Sequence, residues 1–374
     1  MSRARAILRD ATPADNAALC ELFARVSMDG DLKLAVERGP NFFGLYEMQQ
    51  ILACQVQVGE LEGRISGVAT MLAREAWLEG KQTPVTYLGD LRLEDSLRGG
   101  FFLLNHFGEG FAKFLETTQS AVGLTAIIAS NEIAIKTLTR RSRRFPKKPI
   151  YRPWRKFEIT NLHFTIPRRP RPGPCEVRPA RTEDLSAIAE LLGKESSRQP
   201  FGYVLDAERL AERLRRWPGL TLDDFLCAWR GTELVGCAAV WDAKEVKRFR
   251  VEAYRGSMAW IRRAFNLGAF FLRYPALPPP GDVLPYAYLT HVAILNEDPP
   301  VFQALLDQAY TRHRQSGLRF LCACVFEDDP YAPAFVRYRT TPIPAQLFLV
   351  SPPDGPWAER ELPSGRPGFE MALV

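Results

Sequence analysis

Tyr87-Leu88-Gly89-Asp90-Leu91-Arg92-Leu93 reads as an apolar strand, and Arg98-Gly99-Gly100 follows after a short gap. An aromatic-rich helical pattern then runs from about Phe101 to Glu116. A strand, a glycine turn and a helix start in this order present a row of backbone N–H groups and the positive end of a helix dipole. Together these can hold a pyrophosphate. The same order also describes an ordinary strand-to-helix turn. The strand pattern returns as Tyr288-Leu289-Thr290-His291-Val292-Ala293-Ile294, but without the glycines. Leu295-Asn296-Glu297-Asp298-Pro299-Pro300 stands there instead, and its two carboxylates would repel phosphate.

These strands belong to an internal repeat. Arg9-Asp10-Ala11-Thr12-Pro13-Ala14-Asp15 opens an amphipathic helix with Leu19, Leu22 and Phe23 inside. Arg178-Pro179-Ala180-Arg181-Thr182-Glu183-Asp184 opens another, 169 positions later, with Ile188, Leu191 and Leu192 inside. Both starts read as a Thr cap with acidic residues in the first turn. The turns before Gly67 and Gly236 keep the offset of 169, whereas the key strands are 201 apart. The second half therefore carries 32 extra residues, within 243–286. Between the halves, Pro167-Arg168-Arg169-Pro170-Arg171-Pro172-Gly173-Pro174 is too rich in proline for a helix interior or a sheet, so it is expected to be a stiff, exposed linker. The order of elements implies an α/β fold with a mixed (α+β) sheet. The domains are expected at 1–166 and 175–374, joined by a linker at 167–174.

At 374 residues, 46% hydrophobic and 25% charged, the chain can build two cores. A net charge of +6 suits anionic ligands but is too small to demand nucleic acid. The basic run Arg140–Lys148, with Tyr151, Trp154, Arg155 and Lys156 beyond it, reads as a solvated face, an anion site or, least of all, a nucleic-acid site. The seven cysteines form no Cys-x-x-Cys pair, which points to a reducing, cytoplasmic setting. The start Met1-Ser2-Arg3-Ala4-Arg5 shows no apolar core of a signal peptide, and no apolar run is long enough to span a membrane. His106, His163, His291 and His313 are dispersed, so no metal is expected. The segment 255–273, with Trp260 and Phe270, could form a basic amphipathic helix that lies on a membrane or covers a sheet edge.

With these residues in view, the chain resembles the GCN5-related N-acetyltransferase (GNAT) superfamily, as two such domains in tandem. The likeness rests on Arg9-Asp10-Ala11 with Asp15, and on Glu62-Gly63-Arg64-Ile65-Ser66-Gly67. It rests also on Leu91-Arg92-Leu93 followed by Arg98-Gly99-Gly100, and on Ala129-Ser130-Asn131 with Ala134. It covers about 5–160 well and 175–350 weakly. There are departures. Phe101 and Phe102 make the helix start bulky, and Leu138 stands where many members carry an acidic Tyr.

The resemblance implies acyl transfer from acyl-CoA, first of all acetyl-CoA, to an amine. Main-chain groups of Leu91 and Leu93 would pair with the pantetheine arm. Arg98, Gly99, Gly100 and Phe101 would take the pyrophosphate, with Arg92 in the same segment and Asn131, at the later strand end, also among the residues that bind the carrier. An N–H near Leu93 would meet the thioester oxygen. Asp90, among Leu88, Gly89 and Leu91, is the candidate base, its pKa raised by poor solvation; the alternative is a structural carboxylate that caps a loop or pairs with Arg92. His291 is its counterpart in the second half and a second candidate base, or a hydrogen-bonded core residue. Asn41-Phe42-Phe43-Gly44 would lie near the acceptor pocket. The expected function is an N-acyltransferase acting on a small amine or amino-acid-like acceptor. The alternative is a non-catalytic acyl-CoA-binding or scaffold protein.

Overall fold

The structure is a computed structural model that describes residues 7–26, 31–97, 102–171, 173–272 and 276–374. The first half runs β1 (Ile7–Asp10), α1 (Asn16–Arg25), β2 (Leu32–Glu37), α2 (Gly44–Glu47), β3 (Ala53–Leu61), β4 (Arg64–Leu78), β5 (Lys81–Leu93), α3 (Phe102–Thr118), β6 (Gly123–Ile128), α4 (Glu132–Thr139) and β7 (Ile150–His163). The second half runs β8 (Glu176–Pro179), α5 (Leu185–Ser197), β9 (Gly202–Tyr203), α6 (Ala207–Arg216), β10 (Phe225–Arg230), β11 (Glu233–Trp241), β12 (Arg248–Tyr254) and α7 (Gly256–Leu272). It ends with β13 (Tyr286–Ile294), α8 (Pro299–His313), β14 (Phe320–Phe326), α9 (Ala332–Phe335) and β15 (Thr340–Ser351).

The repeat is visible in the bonds that start each half. Arg9 forks onto Asp15 with two bonds of 2.8 Å, and Asp15 accepts the Thr12 N–H at 2.7 Å. Arg178 forks onto Asp184 at 2.6 and 2.9 Å, and Asp184 accepts the N–H of Arg181 at 2.7 Å. The residue before the second turn is therefore Arg181, and the expected Thr182 lies inside it, because the Asp184 carboxylate supplies the cap from either residue's backbone. Leu19, Leu22 and Phe23 in α1 and Ile188, Leu191 and Leu192 in α5 are buried at the expected helical spacing.

Strand alternation then builds a layer on each face. Val68 and Leu72 of β4 join α1, while Met71 and Ala73 join Phe111, Phe114 and Leu115 of α3. In β10, Phe225 and Cys227 join α5, and Leu226 and Ala228 join Val301, Leu305 and Leu306 of α8.

The halves share one sheet, in the order β1-β3-β4-β5-β6-β15-β7-β14-β13-β11-β10-β8, with β9 on β4. The last strands are exchanged. β15 lies between β6 and β7 of the first half, and β7 lies between β15 and β14 of the second. The proline-rich segment is non-regular and mostly exposed where described, as its composition requires. The extra residues of the second half reach back to the first. β12 pairs with β2 in a separate two-stranded sheet, and Glu37 accepts from Arg248 and Arg250 at 2.7 Å each.

The amphipathic segment is helical, as α7, with Trp260 71% exposed. No helix among the described residues is long and apolar enough to cross a membrane. Beyond the basic run, Tyr151 is buried and Trp154 packs on Phe201 while donating to the Pro363 carbonyl at 2.8 Å. These rings are thus committed to the core rather than presented for stacking on bases.

Candidate active site where the strands part

β5 and β6 run parallel and pair only at Thr86↔Gly123 and Tyr87↔Leu124. Beyond that point they diverge, and the Thr125 hydroxyl donates across the opening to the Leu88 carbonyl at 2.7 Å. β6 continues to pair with β15 up to Ile128↔Ala345, so β5 is the strand that leaves. On its other side β5 bulges against β4. Thr70 pairs with Gly89 and Val68 with Arg92, which places Asp90 and Leu91 opposite Ala69. Asp90 takes φ 52°, an uncommon conformation for a side-chain-bearing residue and the source of the bend. Leu91, at the bend, is 42% exposed.

The second half repeats the device. β13 and β14 pair at three positions ending with Tyr288↔Cys322 and then part. The register slips between Cys237 and Ala239, and His291 has φ 50°. Here, however, the chain's own segment 366–371 lines the cavity between the strands, and the Glu370 carboxylate accepts the His291 backbone N–H. A carrier arm would have to displace it.

The carboxyl of Asp90 accepts from the Arg38 guanidinium and from the Tyr46 hydroxyl. Arg38 is 1% exposed, ringed by Phe23, Phe42 and Tyr46 with centroids 5.3–5.8 Å away. Burial pushes the Asp90 carboxyl up, but Arg38, Tyr46 and Arg92 outweigh it and hold it below the usual carboxylate range. The expected rise is thereby corrected, and with it the basis for Asp90 as a base. The partner is Arg38, not Arg92. Arg92 lies over the Phe23 ring at 4.3 Å and donates to the Val26 carbonyl at 2.6 Å. Phe42 is fully buried in this cluster, so it supports the site rather than lining an open pocket.

His291 is not a base in this arrangement. Arg213 Nη1 stands 3.2 Å from His291 Nε2, and a guanidinium can only donate, so Nε2 accepts. The ring is neutral, with its proton on Nδ1 facing the Thr290 hydroxyl. Burial, then Arg213, pushes its pKa well down. Asp90 and His291 line different cavities.

Among the remaining expected residues, Leu91 is exposed at the bulge, and Leu93 pairs with Gly67 on β4. Asn131 caps α4, accepting the Ala134 N–H at 3.2 Å. Arg98, Gly99, Gly100 and Phe101 lie outside the described residues.

Three groups near Asp90 escaped the sequence reading. Arg38 and Tyr46 carry no motif and reach Asp90 across 52 and 44 positions. Lys247, from the extra residues of the second half, is buried and donates to the Val374 carbonyl. Its pKa is pushed down to about 7 by burial and then by Arg38.

No family model matches the sequence, and no curated protein matches it. Solved structures do match the fold. A GCN5-related N-acetyltransferase from Sphaerobacter thermophilus is similar over 100% of this chain and 99% of its own, at TM-score 0.60 and 15% identity. An N-myristoyltransferase from Saccharomyces cerevisiae with bound myristoyl-CoA is similar over 93% of this chain and 79% of its own, at TM-score 0.62 and 10% identity. A tandem GNAT protein from the clavulanic acid biosynthesis pathway is similar over 93% of this chain and 98% of its own, at TM-score 0.53 and 10% identity. At these identities the likeness is one of fold. The chain has the GNAT fold, twice over in tandem.

Proposed function

We propose that the chain is an acyl-CoA-dependent N-acyltransferase whose first half receives the thioester where β5 and β6 part. The observation that supports this is the bulge at Asp90, which lies just beyond Tyr87↔Leu124, the last pair between β5 and β6. The carrier's amide-bearing arm would lie there as an added strand along Leu91. Arg98 and the amides of Gly99, Gly100 and Phe101 would take its phosphates, and acetyl-CoA is the donor proposed first. A main-chain N–H at the bulge would meet the carbonyl oxygen as it gains charge; one such donor contributes about 3–4 kcal/mol. The amine nitrogen bonds to the carbonyl carbon, the carbon–sulfur bond breaks, and CoA leaves as the thiol once the amine has given up a proton. Asp90 stays ionised throughout, so its part is to attract and orient the incoming ammonium group.

A second reading, a non-catalytic acyl-CoA binder, is favoured by the same electrostatics, because neither Asp90 nor His291 is poised to take a proton. Incubation with acetyl-CoA and a panel of small amines, with free thiol followed, tests both. Thiol release that requires an amine supports the transferase. Saturable CoA binding without release on any amine supports the binder, and absence of both contradicts each.

A further inference from the structure

A cavity of about 520 Å³ opens between the halves, walled by α6, β9, the start of the 46–52 segment and Arg74 of β4. It shares Tyr46, Gln49, Arg74, Tyr203 and Leu373 with the smaller cavity that Asp90 lines, so the two adjoin. Its size suits a small molecule of metabolite dimensions. Its walls carry four arginines, Arg74, Arg209, Arg213 and Arg216, against Glu47 and Glu75. Two of the four already have acids: Arg209 lies 3.5 Å from Asp206 and Arg216 3.7 Å from Glu212.

Arg74 and Arg213 differ. Each is 6% exposed, and among the described residues neither has a carboxylate within ion-pair distance. Arg74 donates to the carbonyls of Glu75 and Phe201, and Arg213 to neutral His291. Both guanidinia flank the Tyr203 ring, at 3.7 and 5.0 Å from its centroid. Glu47 is committed to Asn41 at 2.7 Å. The one other carboxyl that Arg213 feels is Glu370, which is engaged with the backbone of His291 and Ala372 and pushed up to about 7 by burial. Two buried cations with no carboxylate in direct contact among the described residues are costly to keep unless something anionic comes to them.

We propose that this cavity binds the carboxylate of the acceptor, so that the substrate class is an amine bearing a carboxylate, with Arg74 and Arg213 as its anchor and Asp90 drawing the ammonium end. The assignment rests on the transferase reading for the word acceptor, but the anion site stands on its own geometry. A planar guanidinium pair stiffened by an aromatic ring suits a carboxylate.

Calorimetry on the full chain without acyl-CoA tests it, with glutarate, L-glutamate, 5-aminopentanoate and n-pentylamine as probes. At least one carboxylate is expected to bind saturably, and n-pentylamine about tenfold more weakly or worse. Arg213→Gln is expected to weaken that carboxylate about tenfold while leaving heats with acetyl-CoA unchanged. If that variant unfolds, Arg74→Lys, which keeps charge but loses the fork, takes its place. No saturable binding by any carboxylate up to tens of millimolar, equal binding of n-pentylamine, or variants that bind like the parent would overturn the proposal. Carboxylate binding without thiol release would contradict the transferase while leaving the anion site intact.

Discussion

Arg38 is a charge held almost without water, and Asp90 is its counter-ion. Removing one member of such a pair strands the other, which costs about 3–5 kcal/mol. Asp90→Asn is therefore expected to lower urea-measured stability by that order, and Arg38→Met added to it to restore most of the loss; a double variant no better than Asp90→Asn would contradict the pairing. Because the folded Asp90 pKa is depressed, its stabilising contribution is complete above the ordinary value of 3.8 and is lost as pH falls through the lower folded value.

Lys247 gives an alkaline counterpart. Its folded pKa, about 7, lies below its ordinary 10.5, so stability is expected to rise with pH between these values, by about 1 kcal/mol per pH unit. Glu370, raised to about 7, completes its opposite contribution below that window. Between pH 7.5 and 8.5 the slope of stability against pH should be more positive in the parent than in Lys247→Met, on top of the opposite trend from the buried cysteines, whose thiols are pushed up by burial; parallel profiles would refute this. Asp90 was legible as a special residue because an acid stood in an apolar strand. Arg38, Tyr46 and Lys247 were not, since only the fold brings them to it.

The paired bulges are a property of strands, and one feature of them could be read in advance. At Gly67 and Gly236, 169 apart, a Cβ would come within 2.7 Å of a side-chain methyl, of Leu93 or of Val301. The difference between the two openings could not be read, because the segment that lines the second comes from the far end of the chain. That segment is admitted by two glycines in contact. A Cβ on Gly368 would lie 2.3 Å from the Gly202 Cα, and one on Gly202 would lie 1.9 Å from the Ser196 carbonyl oxygen. Gly368→Val is expected to undock residues 366–374, destabilising the protein by about 1–3 kcal/mol and exposing the segment to limited proteolysis. Unchanged melting together with an unchanged digestion pattern would show that the contact carries no weight.

For the whole molecule the exchange of β7 and β15 matters most. The repeated openings at Arg9–Asp15 and Arg178–Asp184 were legible, since each Arg forks onto the Asp that caps the turn. Which half each last strand serves was not legible, because sheet pairing is decided by neighbours distant in sequence. With β15 between β6 and β7, a fragment ending at 166 loses the strand that covers β6, and a fragment starting at 175 loses β7. The intact chain is expected to unfold in urea in one transition by both tryptophan fluorescence and far-ultraviolet circular dichroism. Separately expressed fragments 1–166 and 175–374 should fail to show cooperative transitions of their own. Two resolved transitions, or two stable fragments, would contradict a shared core.

Hydrogen exchange with and without acetyl-CoA, read by mass spectrometry over peptides from the two parted strands, tests the central claim most directly. The account expects slower exchange across 88–102 on adding acetyl-CoA, with 289–297 unchanged because the segment 366–371 already lines that opening. Unaltered exchange across 88–102 at saturating acetyl-CoA, or protection confined to 289–297, would contradict it.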